Sequence, residues 1–320
     1  MPEERPNFAP TKVTKYFFKD LIYQIMELLH FTGQVWRPPY EASSQLLQVT
    51  AGCTYHKCKF CSLYHGTKFR LSPLSEIEED LKVIQKYQPK ARRVFLTGAN
   101  PFALSYNRLL ELGLLIRKYL PYCETIGTFS RIADIKPKSV EELKNLRHLG
   151  FDSISIGTES GDDETLTKMN KGNTASEILE QCQKLEEANI RYNLVYLTGL
   201  AGKGKGQQNA TNTSAIFNQL HPFTINFVSL TVFPESELYQ EIQAGKYVEA
   251  TEHERLLELR TFISTLTIKT TLLGNTVSNA IPFVGIIPND KVRILKDLDA
   301  AIKQLSETEL RQYRDRIVSL

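Results

Sequence analysis

Residues 51–64 read AGCTYHKCKFCSLY and hold three of the chain's five cysteines, at positions 53, 58 and 61. They follow SQLLQVTA (44–51), an apolar run that reads as a buried strand. Cysteines crowded where a strand ends point to a metal group at the edge of a sheet. Three thiolates are one short of the closed tetrahedral set of a structural zinc site. Either a distant residue completes the set, or something outside the chain does.

Beyond the loop the chain keeps a regular rhythm. SEIEEDLKVIQKY (75–87) reads as a helix opened by a capping box, Ser75 with Glu78, with Ile77, Leu81 and Ile84 on one face. RRVFLTGA (92–99) is a strand and NRLLELGLLIRKYL (107–120) a helix; ETIGTFS (124–130) is the next strand. The helix after it has Ser139 and Glu142 as its cap and Gly150 as its stop. DSISIGTE (152–159) precedes a helix capped by Thr174 and Glu177, RYNLVYLTG (191–199) precedes NTSAIFNQL, and INFVSLTVF (225–233) ends the series. Six strand–helix units thus start roughly 30 to 40 residues apart, as βα crossovers do. Their strands look like continuous apolar runs, which suits a parallel sheet covered on both faces.

Right-handed crossovers give a doubly wound sheet or a barrel, and periodicity alone does not separate them. In either, ligands meet the C-terminal strand ends. The polar and glycine-rich stretches gather there: Cys53, TGANP (97–101), Ser130-Arg131, TESG (158–161), TGLAGKGKG (198–206) and FPESELY (233–239). Helical stretches near 252–264, 290–304 and 306–317 follow, with the apolar LTIKTTLLGN (266–275) between them attached to the barrel.

Composition narrows the class. With 39 basic and 36 acidic residues the net charge is +3, so a nucleic-acid partner is not indicated. The start, MPEERPNFAP, has no apolar signal core, and no run approaches a membrane span. Few cysteines argue against a disulfide framework, so a reduced, cytoplasmic protein is expected. Asn209 and Asn212 sit in glycosylation-like triplets that read as chance.

The spacing Cys53-x4-Cys58-x2-Cys61 admits three metal readings. Zinc would recruit His56 or His65. A plant-type iron–sulfur cluster for electron transfer would need Cys123 or Cys182 as a fourth ligand. Cys182 shares a helical face with Ile178 and Leu185 and suits a core; Cys123 opens a strand, at the wrong end. The third reading is a [4Fe–4S] cluster on three thiolates with one iron open.

CTYHKCKFC after a first strand resembles the signature of the radical S-adenosylmethionine (SAM) superfamily, with one extra residue in the first gap. SIGTESGDDETLTKMNKG (155–172) is similar to the fourth-strand segment of its coproporphyrinogen oxidase and methylthiotransferase-like group, and VSLTVFPESELY (228–239) to the sixth-strand segment. The resemblance implies an α/β fold, a partial (βα)6 TIM-like barrel over 44–240. An N-terminal extension (1–43) and a mostly helical C-terminal one (241–320) would close it. It implies that Cys53, Cys58 and Cys61 hold the cluster and that Phe60 lies near the adenine. Glu159 or Ser160 would touch the ribose, and Lys171 the methionyl carboxylate. The family's GGEP segment stands here as TGANP, without the glutamate. Backbone around Thr97, Gly98 and Ala99, with Asn100, would take the SAM amino group. The implied chemistry is reductive cleavage of SAM to a 5′-deoxyadenosyl radical that abstracts hydrogen from an unidentified organic substrate, fed by a low-potential donor such as flavodoxin or ferredoxin. With five cysteines, a conventional auxiliary cluster is not expected. Neither are methylthiotransferase and cobalamin-dependent roles.

Other features stay open. GLAGKGKG (199–206) lacks the G-x4-G-K-[ST] pattern and reads as a rim loop. Arg131 is a carboxylate contact or a rim ion pair. Asn193 and Tyr196 are read as sharing one strand face, as substrate contacts or as core. His221 reads as helix-terminal and KARR (90–93) as a solvated loop.

Overall fold

The computed structural model describes residues 27–318, so residues 1–26 of the expected N-terminal extension lie outside it. Strand β1 (Gln45–Gln48) leads through β2 (Thr50–Ala51), the cysteine loop and β3 (Arg70–Leu71) to helix α1 (Leu74–Tyr87). Then follow β4 (Arg93–Thr97), α2 (Tyr106–Tyr119), β5 (Thr125–Ser130), α3 (Ile132–Ile135) and α4 (Val140–His148). Next come β6 (Ile154–Glu159), α5 (Asp163–Lys168), α6 (Ala175–Glu187), β7 (Tyr192–Thr198), α7 (Gly206–Phe217) and β8 (Thr224–Ser229). The tail adds α8 (Glu237–Gln243), α9 (Glu252–Thr265), β9 (Thr270–Leu273), β10 (Val284–Ile287), α10 (Lys291–Gln304) and α11 (Glu307–Asp315).

The principal sheet runs β1-β4-β5-β6-β7-β8-β9-β10, parallel from β1 to β9 with β10 antiparallel at its end. The fold is α/β, a partial barrel of strands with helices outside. The segment LTIKTTLLGN supplies β9, so the sheet continues past residue 240 into the tail.

The first expected strand is interrupted. After β1 the chain turns at Val49 and pairs β2 with β3 instead, because the cysteine loop must leave the barrel wall there. The expected box of Ser75 and Glu78 does not form: α1 starts after Pro73, with no side-chain cap. Proline's fixed φ already suits a helix start. The boxes at Ser139 with Glu142 and Thr174 with Glu177 are present.

The strands alternate, contrary to the continuous apolar reading. Outward residues such as Val94, Ile126, Ile156, Leu194 and Phe227 pack with the helices in the main core. The intervening inward residues include small and polar ones, Thr97, Gly127, Ser155, Gly157, Asn193 and Asn226, beside apolar ones such as Phe129, Val195, Leu197 and Val228. A Cβ on Gly127 would lie 2.2 Å from the Arg93 guanidinium, so glycine is what lets that side chain cross the lumen.

The segment before β1 fills part of that lumen. Thr32 exchanges two hydrogen bonds with Gln48, and Thr97 Oγ1 donates to Trp36 O at 3.2 Å. The Tyr40 hydroxyl donates to Ser155 Oγ at 2.8 Å, and Arg93 makes a bidentate pair with buried Glu41. The partners belong to the inward faces of β1, β4 and β6. Arg93 is therefore a barrel residue and not part of a solvated KARR loop. Arg92, beside it, does pair at the surface with Glu124.

Candidate functional site

The cysteine loop is anchored to the TGANP turn at the end of β4. Gly98 has φ +103°, and a Cβ there would stand 1.9 Å from Thr50 O, so only glycine lets the two backbones meet. Asn100 then braces the loop with its whole amide. Its Oδ1 accepts from Thr54 N at 3.2 Å, and its Nδ2 donates to Thr54 Oγ1 at 2.7 Å and to Asp134 Oδ2 at 2.9 Å. Further along, Lys59 N donates to Met169 O, and Leu238 N donates to Lys59 O. Phe60 packs on Met169, Leu197 and Leu238.

So held, Cys53, Cys58 and Cys61 line one cavity of about 300 Å³ inside the barrel mouth. They also border an adjoining cavity of about 220 Å³, with His56, His65, Glu235 and Glu237. Burial pushes the Cys58 thiol up, and the Cys61 thiol up to about 11. A metal group would have to displace those protons to bind. No three His, Cys, Asp or Glu side chains among the described residues converge as for a single ion. The three thiols open on one cavity, where they could bind different irons of a cluster.

Lys171 is buried beside them. Its Nζ lies 3.4 Å from Glu159 Oε1 and 6.0 Å from the centre of the Phe60 ring. Burial works against its ammonium, but the charges of Glu159 and Cys58 outweigh it and hold the group above its ordinary value. Glu159 has φ +65° at a register shift between β6 and β7, which marks a strained strand end facing the cavity. Arg131 lies 3.8 Å over the Tyr55 ring and donates to Lys171 O at 3.0 Å; its Nε is buried without a partner.

Most of the expected site residues meet here. Phe60, Ala99, Asn100, Glu159 and Lys171 line the cavity with the cysteines, and so does Arg131. Thr97 is buried, its hydroxyl on Trp36 O and its carbonyl taken by Val49 N. Ser160 is not part of the cavity wall. It is fully buried, donating to Asn209 Oδ1 at 2.5 Å and accepting from Asp162 N at 2.9 Å.

Asn193 and Tyr196 do not share a face, because a spacing of three puts them on opposite sides of a strand. Asn193 bonds Ser153 and Thr224 inside the barrel, while Tyr196 faces Glu258 of α9. His221 pairs with Glu186 at the surface. Cys182 is buried in the core, as is Cys123, whose thiol meets Thr125 O. Asn209 is buried in hydrogen bonds to Tyr196 and Glu258, consistent with a chance triplet.

The sequence reading missed three groups: Tyr55 under Arg131, Asp134 behind Asn100, and Trp36 in the cavity wall. Trp36 is the chain's only tryptophan, a signal that was available without the structure. No helix among the described residues is long and apolar enough to cross a membrane.

Fold and rim together define a barrel of an enzyme superfamily, with a cysteine-lined cavity where its parallel strands end. The chain belongs to the radical SAM superfamily, whose family model matches residues 47–206. It is 25% identical over 201 residues to the heme chaperone HemW of Bacillus subtilis (strain 168), covering 60% of this chain and 52% of that one. It is 25% identical over 205 residues to the anaerobic magnesium-protoporphyrin IX monomethyl ester cyclase of Cereibacter sphaeroides, covering 60% of this chain and 31% of that one. The chain thus spans about half or less of these relatives. Among solved structures, the methyltransferase TsrM from Kitasatospora setae superposes with a TM-score of 0.54 at 17% identity, covering 70% of this chain and 45% of that one. Coproporphyrinogen III oxidase (HemN) from Escherichia coli gives 0.52 at 16%, covering 69% and 51%. At such identities the likeness concerns the fold.

Proposed function

We propose that this protein holds a [4Fe–4S] cluster on Cys53, Cys58 and Cys61 and binds SAM at its open iron. The bound pair supplies a 5′-deoxyadenosyl radical for hydrogen abstraction from an organic substrate. The observation that supports it is the shared cavity: three thiols open on one space beside a buried Lys171–Glu159 pair.

The chain's own residues then have distinct tasks. Lys171 meets the methionyl carboxylate, Glu159 the ribose and Phe60 the adenine. Arg131, with its unpartnered Nε, offers a second carboxylate donor. The carbonyls of Gly98 and Ala99 face the amino group; Asn100 steadies the loop, since its amide is already engaged. The barrel wall keeps water from a reactive intermediate. Residues 1–43 and 241–320 flank the barrel core, and a flavodoxin or ferredoxin is the fitting reductant.

The test is anaerobic reconstitution with iron and sulfide, reduction, and electron paramagnetic resonance with and without SAM. The expected result is a [4Fe–4S]+ signal that changes shape on SAM addition, with 5′-deoxyadenosine formed. A signal indifferent to SAM would overturn the proposal in favour of electron transfer, and colourless metal lost with His56 or His65 in favour of zinc.

A further inference from the structure

We infer that the substrate is an uncharged molecule with an apolar, aromatic or aliphatic body, seated against the far wall of the cavity. The inference rests on the SAM reading above, which assigns the charged wall to the cofactor. Among the described residues, only three charged side chains line the cavity: Arg131, Glu159 and Lys171. They lie together at the ends of β5 and β6 and just beyond, and they are engaged with one another and with Tyr55.

Across the lumen the wall is made by Val195 and Leu197 of β7, Val228 and Leu230 at the end of β8, and Phe233. Trp36 lines the same cavity from the N-terminal segment, its O accepting from Thr97 of β4 and its Nε1 donating to Leu63 O at 3.2 Å, so its indole proton is satisfied within the protein. Of the hydroxyls on this side, Ser229 accepts from Arg314 at 2.9 Å and Thr231 at 3.4 Å.

An ionic group placed here would lose its water and find no counter-charge, which a neutral apolar group avoids.

Trp36, the chain's only tryptophan, lines this cavity and reports on it. The experiment uses the anaerobically reconstituted, unreduced protein with SAM, titrated with three probes of one shape: 3-phenylpropan-1-ol, 3-phenylpropionate and 3-phenylpropylamine. Trp36 emission reads the probes, and equilibrium dialysis of labelled SAM reads cofactor binding in the same samples. The alcohol is expected to shift the emission and to bind at least about tenfold tighter than either charged probe. Tighter binding of the carboxylate or the amine, or no shift with any probe, would overturn the inference. Loss of SAM binding while the alcohol still wins would sink the SAM reading and leave the pocket's selectivity standing. SAM bound with a charged probe preferred would sink the pocket inference alone.

Discussion

The two walls of the cavity are built on opposite rules. The wall from β1 to β6 is a lattice of polar braces: Asn100 to Thr54 and Asp134, Arg131 to Lys171 O, Tyr55 to Asn170. The wall of β7 and β8 presents Val195, Leu197 and Val228 to the cavity, and behind it Tyr196, Asn209 and Gly199 N all donate to Glu258. Directional bonds fix atoms in place, as a cofactor that must be positioned requires; apolar contact fixes bulk and rejects charge. On the proposed function, the first wall suits the cofactor and the second the substrate.

The largest effect expected from breaking this division is all-or-none. Cys53→Ala, Cys58→Ala or Cys61→Ala should each abolish the reconstituted cluster, measured as iron per chain. Cys123→Ala and Cys182→Ala should retain it, since both thiols are buried in the core. Loss of iron in either of the last two would restore the four-cysteine electron-transfer reading.

Next comes Lys171→Met, which removes the charge from the polar wall while keeping length. A hydrogen bond to a charged group contributes roughly 1.5–3 kcal/mol, so SAM affinity should fall about 10- to 100-fold by dialysis. Neutral-probe binding at the other wall should hold. Equal losses at both walls would dissolve the comparison.

Glu258 tests the outward side of the apolar wall. Burial raises its carboxyl from 4.5 to about 7, because the hydrogen bonds it accepts do not fully offset the lost water. The fold therefore favours the protonated form. Its contribution is fully present below 4.5 and is lost as pH rises through about 7. The size is roughly 3 kcal/mol. Urea unfolding at pH 5 and pH 8 should show this slope in the wild type and not in Glu258→Gln; parallel slopes would refute the assignment.

Parts of this were legible in the sequence for definite reasons. Metal ligands need fixed residue types at short spacing, so the cysteines declared themselves, and crossover helices repeat with their strands. The lumen was not legible. Its inward Thr97, Ser155 and Asn193 are interleaved with Val, Ile and Leu, and the runs read as uniformly apolar. The segment around Trp36 and Tyr40 has no period at all, because its side chains bond to several different strands. Glu159 and Ser160 differ only in which way each points. That depends on the inner face of β6, which the residues before it do not announce.

The smallest effect falls on Asn100, and it decides what replaced the family's glutamate. If Asn100 is a brace, Asn100→Ala unties the loop at Thr54 and leaves buried Asp134 with the Arg131 N–H alone. Asp134, whose carboxyl burial already pushes up, would be harder still to keep ionised. The expected cost is about 1–3 kcal/mol in urea unfolding of the iron-free protein, with cluster occupancy reduced because the loop is looser. Once corrected for occupancy, SAM affinity should stay within about threefold, a difference below 1 kcal/mol. A large loss of SAM affinity with unchanged stability would make Asn100 a direct SAM ligand. The polar wall would then touch its cofactor with the same amide that holds its loop.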